Sequence, residues 1–204
     1  MTSSPTEPPA NLRDRQRAAV RADIHAAAYR LFAAQGFANV TTDDIAAEAA
    51  ISPRTFFRHV ATKEELLLAA VQRGGAAIAS LLERRPDAEP PDVALSAAIV
   101  GRVDSFDDGD LQSWRSAILT APELLDRVSL LGTADRSRLV ELVAVRMKAD
   151  AVEDSRPGLL VQLSFAAADF AFQKWVRDRA AHHRPLASAV TDALAVVEHP
   201  RWRG

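Results

Sequence analysis

Arg54, Thr55, Arg58 and His59 place four hydrogen-bond donors within one stretch of six residues. A guanidinium can grip guanine through two parallel hydrogen bonds, and hydroxyl and imidazole groups suit phosphate oxygens. The same stretch contains Phe56 and Val60, four apart and therefore on one helical face. A helix anchored from below by an aromatic and a valine, with donors elsewhere on its surface, suits contact with phosphates and base edges. Outside such a setting, Arg54 and Arg58 would read as solvated surface groups.

The surrounding sequence supplies the setting. Ser52-Pro53 reads as an N-cap followed by proline at the first helical position, opening a short helix over residues 53–60. Another short helix is expected over 43–49, capped by Thr41 or Thr42, with Ile45, Ala46 and Ala49 turned to the interior. Only Ala50, Ile51 and Ser52 separate the two, the connection of a helix-turn-helix whose second helix enters the DNA major groove. Upstream, Val20, Ile24, Ala27, Ala28, Leu31 and Phe32 mark one face of a longer helix ending at Gly36. Downstream, Thr62-Lys63-Glu64-Glu65 is a capping box leading into Leu66, Leu67, Leu68 and Val71, with a helix expected to about Leu82.

Helical periodicity continues over 92–105, 110–120, 122–148, 156–181 and 185–199, with Gly132 a potential break in the longest span. The expectation is an all-α fold of about nine helices. Residues 1–12, with Pro5, Pro8 and Pro9, read as a disordered tail. An N-terminal helix-turn-helix domain over 13–70 and a second helical domain over 71–204 follow.

The runs Phe37-Ala38-Asn39-Val40-Thr41-Thr42-Asp43-Asp44-Ile45-Ala46, Ile51-Ser52-Pro53-Arg54-Thr55-Phe56-Phe57-Arg58-His59-Val60 and Lys63-Glu64-Glu65-Leu66 closely resemble the TetR family of bacterial transcription regulators. The resemblance implies a homodimer that reads a palindromic double-stranded DNA operator through its N-terminal domain. It also implies a C-terminal domain that binds a small effector. Carried onto this chain, it assigns DNA contact to Thr42, Arg54, Thr55, Phe57, Arg58, His59 and Lys63. Arg54 and Arg58 are the expected base readers, and Thr55, His59 and Lys63 the expected phosphate holders. Two positions depart from the family pattern. Phe57 replaces a tyrosine and so loses a hydroxyl donor. Ala50 replaces the turn glycine, so the turn either avoids a left-handed residue or accepts strain. Arg13, Arg15, Arg17 and Arg21 steer toward DNA, form a basic arm, or merely solvate a helix start.

In the C-terminal half, Trp114, Ile118, Phe165 and Phe172 are bulky groups among alanines, and Asp169 shares a face with both phenylalanines. They form either ordinary core with Asp169 at its edge or an apolar pocket with one polar group to orient a ligand. The stretch 114–125 and the run to Trp175 resemble a family branch associated with acyl-CoA-like ligands, as in mycofactocin-linked regulators. On that reading Arg115 is the candidate for the ligand's charged headgroup. Two stripes on the last helices are the expected dimer interface: Leu160, Leu163, Ala167, Phe170 and Ala171, and Leu186, Ala189, Val190, Ala193, Leu194 and Val197.

Composition excludes other classes. Cysteine is absent, which removes disulfides, thiolate nucleophiles and zinc-thiolate sites. The glycines never stand two apart, there is no Gly-x-Ser-x-Gly elbow, and the five histidines lack metal-clamping spacing. No catalytic residue, metal site or cofactor is expected. The apolar run 158–172 is too short and polar to span a membrane and no secretory signal is evident, so a cytoplasmic location is expected. The net charge of −2 argues against a nucleic-acid partner only as an average. Residues 1–63 contain eight Lys or Arg against six Asp or Glu; the rest contain seventeen against twenty-one. A DNA-binding protein of this fold governed by a protein partner, without a small effector, is the second reading; a small helical enzyme is the third.

Overall fold

The computed structural model describes residues 12–72, 74–131, 133–178 and 184–198. Among them the regular elements are all helical: α1 Leu12–Gln35, a 3₁₀ turn Phe37–Asn39, α2 Thr42–Glu48, α3 Pro53–His59, α4 Lys63–Gln72, α5 Gly74–Glu83, α6 Pro91–Asp104, α7 Asp108–Ile118, α8 Pro122–Leu125, α9 Thr133–Met147, α10 Ser155–Arg177 and α11 Leu186–Glu198. The expected all-α architecture holds. No single helix among the described residues is long and apolar enough to cross a membrane.

Local chemistry sets the helix ends. Gly36 adopts φ +83° and its N–H bonds the Phe32 carbonyl, closing α1. Thr41, rather than Thr42, caps α2 in a reciprocal box: the Asp44 N–H donates to its Oγ1 at 3.1 Å, and the Thr41 N–H donates to Asp44 Oδ2 at 2.8 Å. Ser52 Oγ accepts from the Thr55 N–H at 3.1 Å, and Thr62 Oγ1 accepts from the Glu65 N–H at 3.3 Å. The Glu65 carboxylate reaches one residue further than a standard box and takes the Ala61 N–H at 2.9 Å.

Periodicity predicts two longer helices, over 62–82 and 122–148. The first is described as α4 and α5, on either side of Arg73, which lies outside the described residues. A Cβ on Gly75 would collide with the Asp135 side chain of α9, so glycine admits an approach that a larger residue would block. The span 122–148 yields a single turn, α8, and then α9 from Thr133. The described part of the break covers 126–131, so it opens well before Gly132, which lies outside the described residues. Of the expected tail, residues 1–11 lie outside the described residues, and Leu12 already belongs to α1.

The buried apolar residues form one continuous cluster rather than two cores. Ile24, Phe32, Ile45, Phe56 and Leu66 fill it under the helix-turn-helix, and Leu95, Ile99, Ile118, Phe165 and Phe172 fill it in the body. Helix α1 packs along α7, while α5, α6, α9, α10 and α11 pack on one another. The helix-turn-helix is therefore seated on α7 instead of hanging from a linker.

Candidate nucleic-acid interface

Helix α3 is fixed from beneath. Phe56 is wholly buried and Val60 nearly so. Removing an aromatic of this kind from a core costs about 3–5 kcal/mol. The opposite face is open: Arg54, Phe57 and Arg58 are exposed and stand at i, i+3 and i+4, so they form one patch. Phe57 is 55% exposed, and its ring meets Phe56 edge-on at 5.4 Å between centroids. An exposed ring held by a buried one is a fixed platform without the hydroxyl a tyrosine would add. Thr55 is half-buried, and its hydroxyl lies 3.0 Å from Ser52 Oγ.

The turn before α3 accepts strain at Ala50. Its φ of +53° lies in the left-handed region, where an L-residue other than glycine costs on the order of 1–2 kcal/mol. The Ala50 N–H bonds the Ala47 carbonyl, and the Ile51 N–H bonds the Ala46 carbonyl at 2.9 Å. The closure satisfies the end of α2 and compensates for the conformation. Thr42 is the first residue of α2, at the opposite end from this turn, and is half-buried.

His59 lines a groove of about 460 Å³ with Asp14, Arg17, Ala18, Arg21 and Arg58, the last shared with the Arg54 patch. Three guanidinium groups share it with one carboxylate. Burial first, then the charges of Arg58, Arg21 and Arg17, push the imidazole pKa down. An uncompensated cationic groove beside the recognition helix suits a phosphate. Arg17 and Arg21 thus lie beside His59, a placement that none of the three readings of these arginines from sequence names. Asp14 escaped sequence reasoning, because nothing local ties the first turns of α1 to the end of α3.

Lys63 points inward. Its Nζ donates to the carbonyls of Phe37 and Val40 at 2.9 and 3.0 Å and sits 4.4 Å from the centre of the Phe37 ring. Two of its three N–H bonds therefore hold the 3₁₀ turn against α4, leaving one for a phosphate. Three further bonds tie this unit to its surroundings. The Phe37 N–H donates to Thr120 Oγ1 at 3.0 Å, the Tyr29 hydroxyl donates to the Leu66 carbonyl at 3.1 Å, and the Trp114 indole N–H donates to the Leu67 carbonyl at 2.8 Å.

Residues 24–70, spanning this helix-turn-helix, match the pattern of the bacterial regulatory proteins of the tetR family. The HTH-type transcriptional regulator TcmR of Streptomyces glaucescens is 32% identical over 181 residues, covering 85% of this chain and 79% of TcmR. The chain belongs to the TetR family. It is accordingly a transcriptional regulator of the DNA-binding kind. MftR of Mycobacterium tuberculosis, named for transcriptional regulation of mycofactocin biosynthesis, is 28% identical over 88% of this chain and 91% of its own length. The fold matches that of the fatty acid degradation regulator FadR from Bacillus halodurans, with a TM-score of 0.58 and 17% identity over 98% of this chain and 100% of that one.

In this TetR-family regulator the C-terminal candidates divide by environment. Trp114, Ile118, Phe165 and Phe172 are all buried, with the Trp114 and Phe172 rings 5.4 Å apart. Asp169 is half-buried and faces the 129–131 loop: Oδ1 accepts the Leu130 N–H and Oδ2 the Ser129 hydroxyl, both at 2.7 Å. Burial pushes its pKa up against these two bonds, which pull it down. Of the two readings of this cluster, core with Asp169 at its edge fits these contacts.

Arg115 differs from the expectation of a headgroup cation. It is 97% buried, Nε donates to the Val176 carbonyl at 3.0 Å, Nη2 donates to the Asp178 carbonyl, and the guanidinium lies over the Trp175 ring. Its charge closes the C-terminus of α10, where carbonyls are left without helical partners.

The second expected dimer stripe also divides. Leu186, Val190 and Leu194 face the protein's own core. The apolar residues left outside are Leu159, Leu163 and Phe170 on α10 and Val196 on α11.

Proposed function

We propose that the protein is a ligand-responsive transcriptional repressor that binds a palindromic double-stranded operator as a homodimer. Residues 13–70 form the DNA reader and residues 71–204 the effector and dimerisation domain. The observation that carries the reading is the exposed Arg54, Phe57 and Arg58 patch on a helix whose other face is rooted by Phe56.

Arg54 and Arg58 read base edges, and the Phe57 ring packs against sugar. Thr42, Thr55, His59 and the remaining N–H of Lys63 hold phosphates, with Arg17 and Arg21 adding charge at the His59 groove. The outward residues of α10 and α11, Leu163 and Phe170 foremost, pair two subunits about a twofold axis. That pairing sets the two recognition helices about one DNA turn apart, roughly 34 Å, or a multiple of it. The effector is a small apolar or acyl-CoA-like molecule bound in the C-terminal domain. It moves α4 relative to the body and spoils the spacing of the two readers. The family kinship and the contacts joining α4 and the 3₁₀ turn to α7 support this route.

Binding-site selection from random duplex DNA, followed by titration at several salt concentrations, tests the reading. A twofold-symmetric consensus and a steep fall of affinity with salt are expected. Recovery of no consensus, or a monomer bound to a single half-site, overturns it.

A further inference from the structure

Among the described residues Arg102 is a cation without a counter-ion, set beside the first residue of α5. It lies near the end of α6, partly buried, with Nη1 donating to Ser105 Oγ at 3.0 Å and its guanidinium carbon 4.2 Å from the centre of the Phe106 ring. Its Nε is buried and has no hydrogen-bond partner, the one side-chain atom among the described residues in that condition. No carboxylate among those residues pairs with it. Burial alone pushes its pKa down, yet a guanidinium stays charged in a protein, so the N–H needs an acceptor that the fold does not supply.

Two other arginines with inward contacts show what a structural role looks like here. Arg115 donates to two carbonyls at the end of α10, and Arg146 donates to the carbonyls of Leu82, Arg85 and Pro86 at the end of α5. Both close a helix, whereas Arg102 donates to no backbone carbonyl. Its unpartnered edge borders Gly74, the first residue of α5. A Cβ there would lie 3.7 Å from Arg102 Nε and 3.5 Å from the Leu130 carbonyl, so glycine covers the buried Nε with backbone alone and places no side chain between it and the Leu130 loop. Leu130 belongs to the loop that Asp169 holds in place.

The geometry points to Arg102 as the anchor of an anionic effector, whose carboxylate or phosphate oxygens accept from the Nε edge of the guanidinium while an apolar body lies toward Phe106. This inference rests on the ligand-responsive reading above and names the charge its ligand must carry. Planar anions with two oxygens match a guanidinium edge in a way that neutral groups do not. The position also supplies a coupling route. An anion at Gly74 bears on the start of α5, two residues after α4 ends, and α4 begins four residues after α3 ends.

The test titrates the full-length protein with dodecanoate, dodecyl phosphate and dodecanol, each below its aggregation threshold. Melting temperature and anisotropy of the selected operator duplex are both followed. At least one of the two anions should bind saturably and raise the melting temperature, and the tighter of the two distinguishes carboxylate from phosphate. Dodecanol, with the same chain and no charge, should leave it unmoved. Arg102→Met should weaken anion binding by about tenfold or more, and the free variant should melt at or above the wild-type temperature, having lost an unpaired cation. Arg102→Lys, which keeps the charge without the fork, should lose part of the affinity. An equal response to dodecanol, binding of neither anion, undiminished binding by Arg102→Met, or a markedly lower melting temperature of that variant overturns the assignment. Arg102-dependent anion binding that leaves operator affinity unchanged keeps the anchor and rejects ligand responsiveness. Operator release by an anion whose binding ignores Arg102 does the reverse.

Discussion

The indole N–H of Trp114 donates to the carbonyl of Leu67 at 2.8 Å, joining residues 47 apart in sequence. The same ring stands 5.4 Å from Phe172 of α10. One side chain of α7 thus touches the helix that follows the DNA reader and the longest helix of the body. Trp114→Phe keeps most of the apolar contact and removes the N–H. A loss of about 1–2 kcal/mol is expected, seen as a fall in melting temperature of roughly 2–8 °C. Thr120→Val, which strips the acceptor from the Phe37 N–H, should cost about as much, and Thr120→Ser should not. Melting curves of the three variants decide whether these bonds hold the two regions together.

Arg54 and Lys63 should separate in their effects. Arg54 is exposed on the open face of α3, so Arg54→Ala should leave the melting temperature unchanged. It should cost about 1–3 kcal/mol of operator binding and relax preference at one base position. Lys63 is bonded to two carbonyls beneath the interface, so Lys63→Met should lower the melting temperature as well as the affinity. Equal loss on every DNA sequence for Arg54→Ala would reassign Arg54 to phosphate.

Ala50→Gly should stabilise the protein. The left-handed φ of +53° is costly for alanine and free for glycine. Glycine also gains freedom in the unfolded chain, which offsets part of the relief, leaving a net gain of up to about 1 kcal/mol. Chemical denaturation at constant m-value measures it; a destabilised variant would mean that the turn relaxes away from this conformation.

If His59 holds a phosphate as proposed, the groove of Arg17, Arg21, Arg58 and His59 should make DNA binding proton-linked. Burial and the three cations lower the His59 pKa from its ordinary 6.5. The unfolded chain therefore takes that proton first. The His59 contribution to stability is whole above pH 6.5 and is lost as pH falls toward the depressed folded value. A phosphate in the groove favours the imidazolium and reverses the shift. Operator affinity should rise as pH falls from 8 to 6, and His59→Asn should flatten that slope. An identical slope in the variant would place the phosphate elsewhere.

Which features were legible in sequence follows from the range of the forces involved. The cap at Ser52 and the Phe56–Val60 anchor depend on neighbours within four residues and take the expected form, whereas the Thr62 box is closed by Glu65 on Ala61 and the turn runs over four residues, 49–52. The close approach of α9 to α5 depends on Asp135 meeting Gly75, and no local pattern encodes that contact. The roles of three charged residues show the same limit. Arg115 closes a helix 61 residues away, Asp169 holds a loop 40 residues away, and Lys63 binds a turn 26 residues back.

Residue types and short spacings were enough to establish a helical chain, a helix-turn-helix over residues 43–60, one residue from its observed bounds at either end, and a donor-bearing face at Arg54 and Arg58. Helix propensity, capping and periodicity are local quantities. The tertiary structure decided which charged groups are free to meet a ligand. Arg115 and Arg146 are satisfied by distant carbonyls while Arg102 is left with a buried, unpartnered N–H. Three arginines of one type acquire different chemistry because hydrogen-bond satisfaction depends on which backbone ends the fold brings near them.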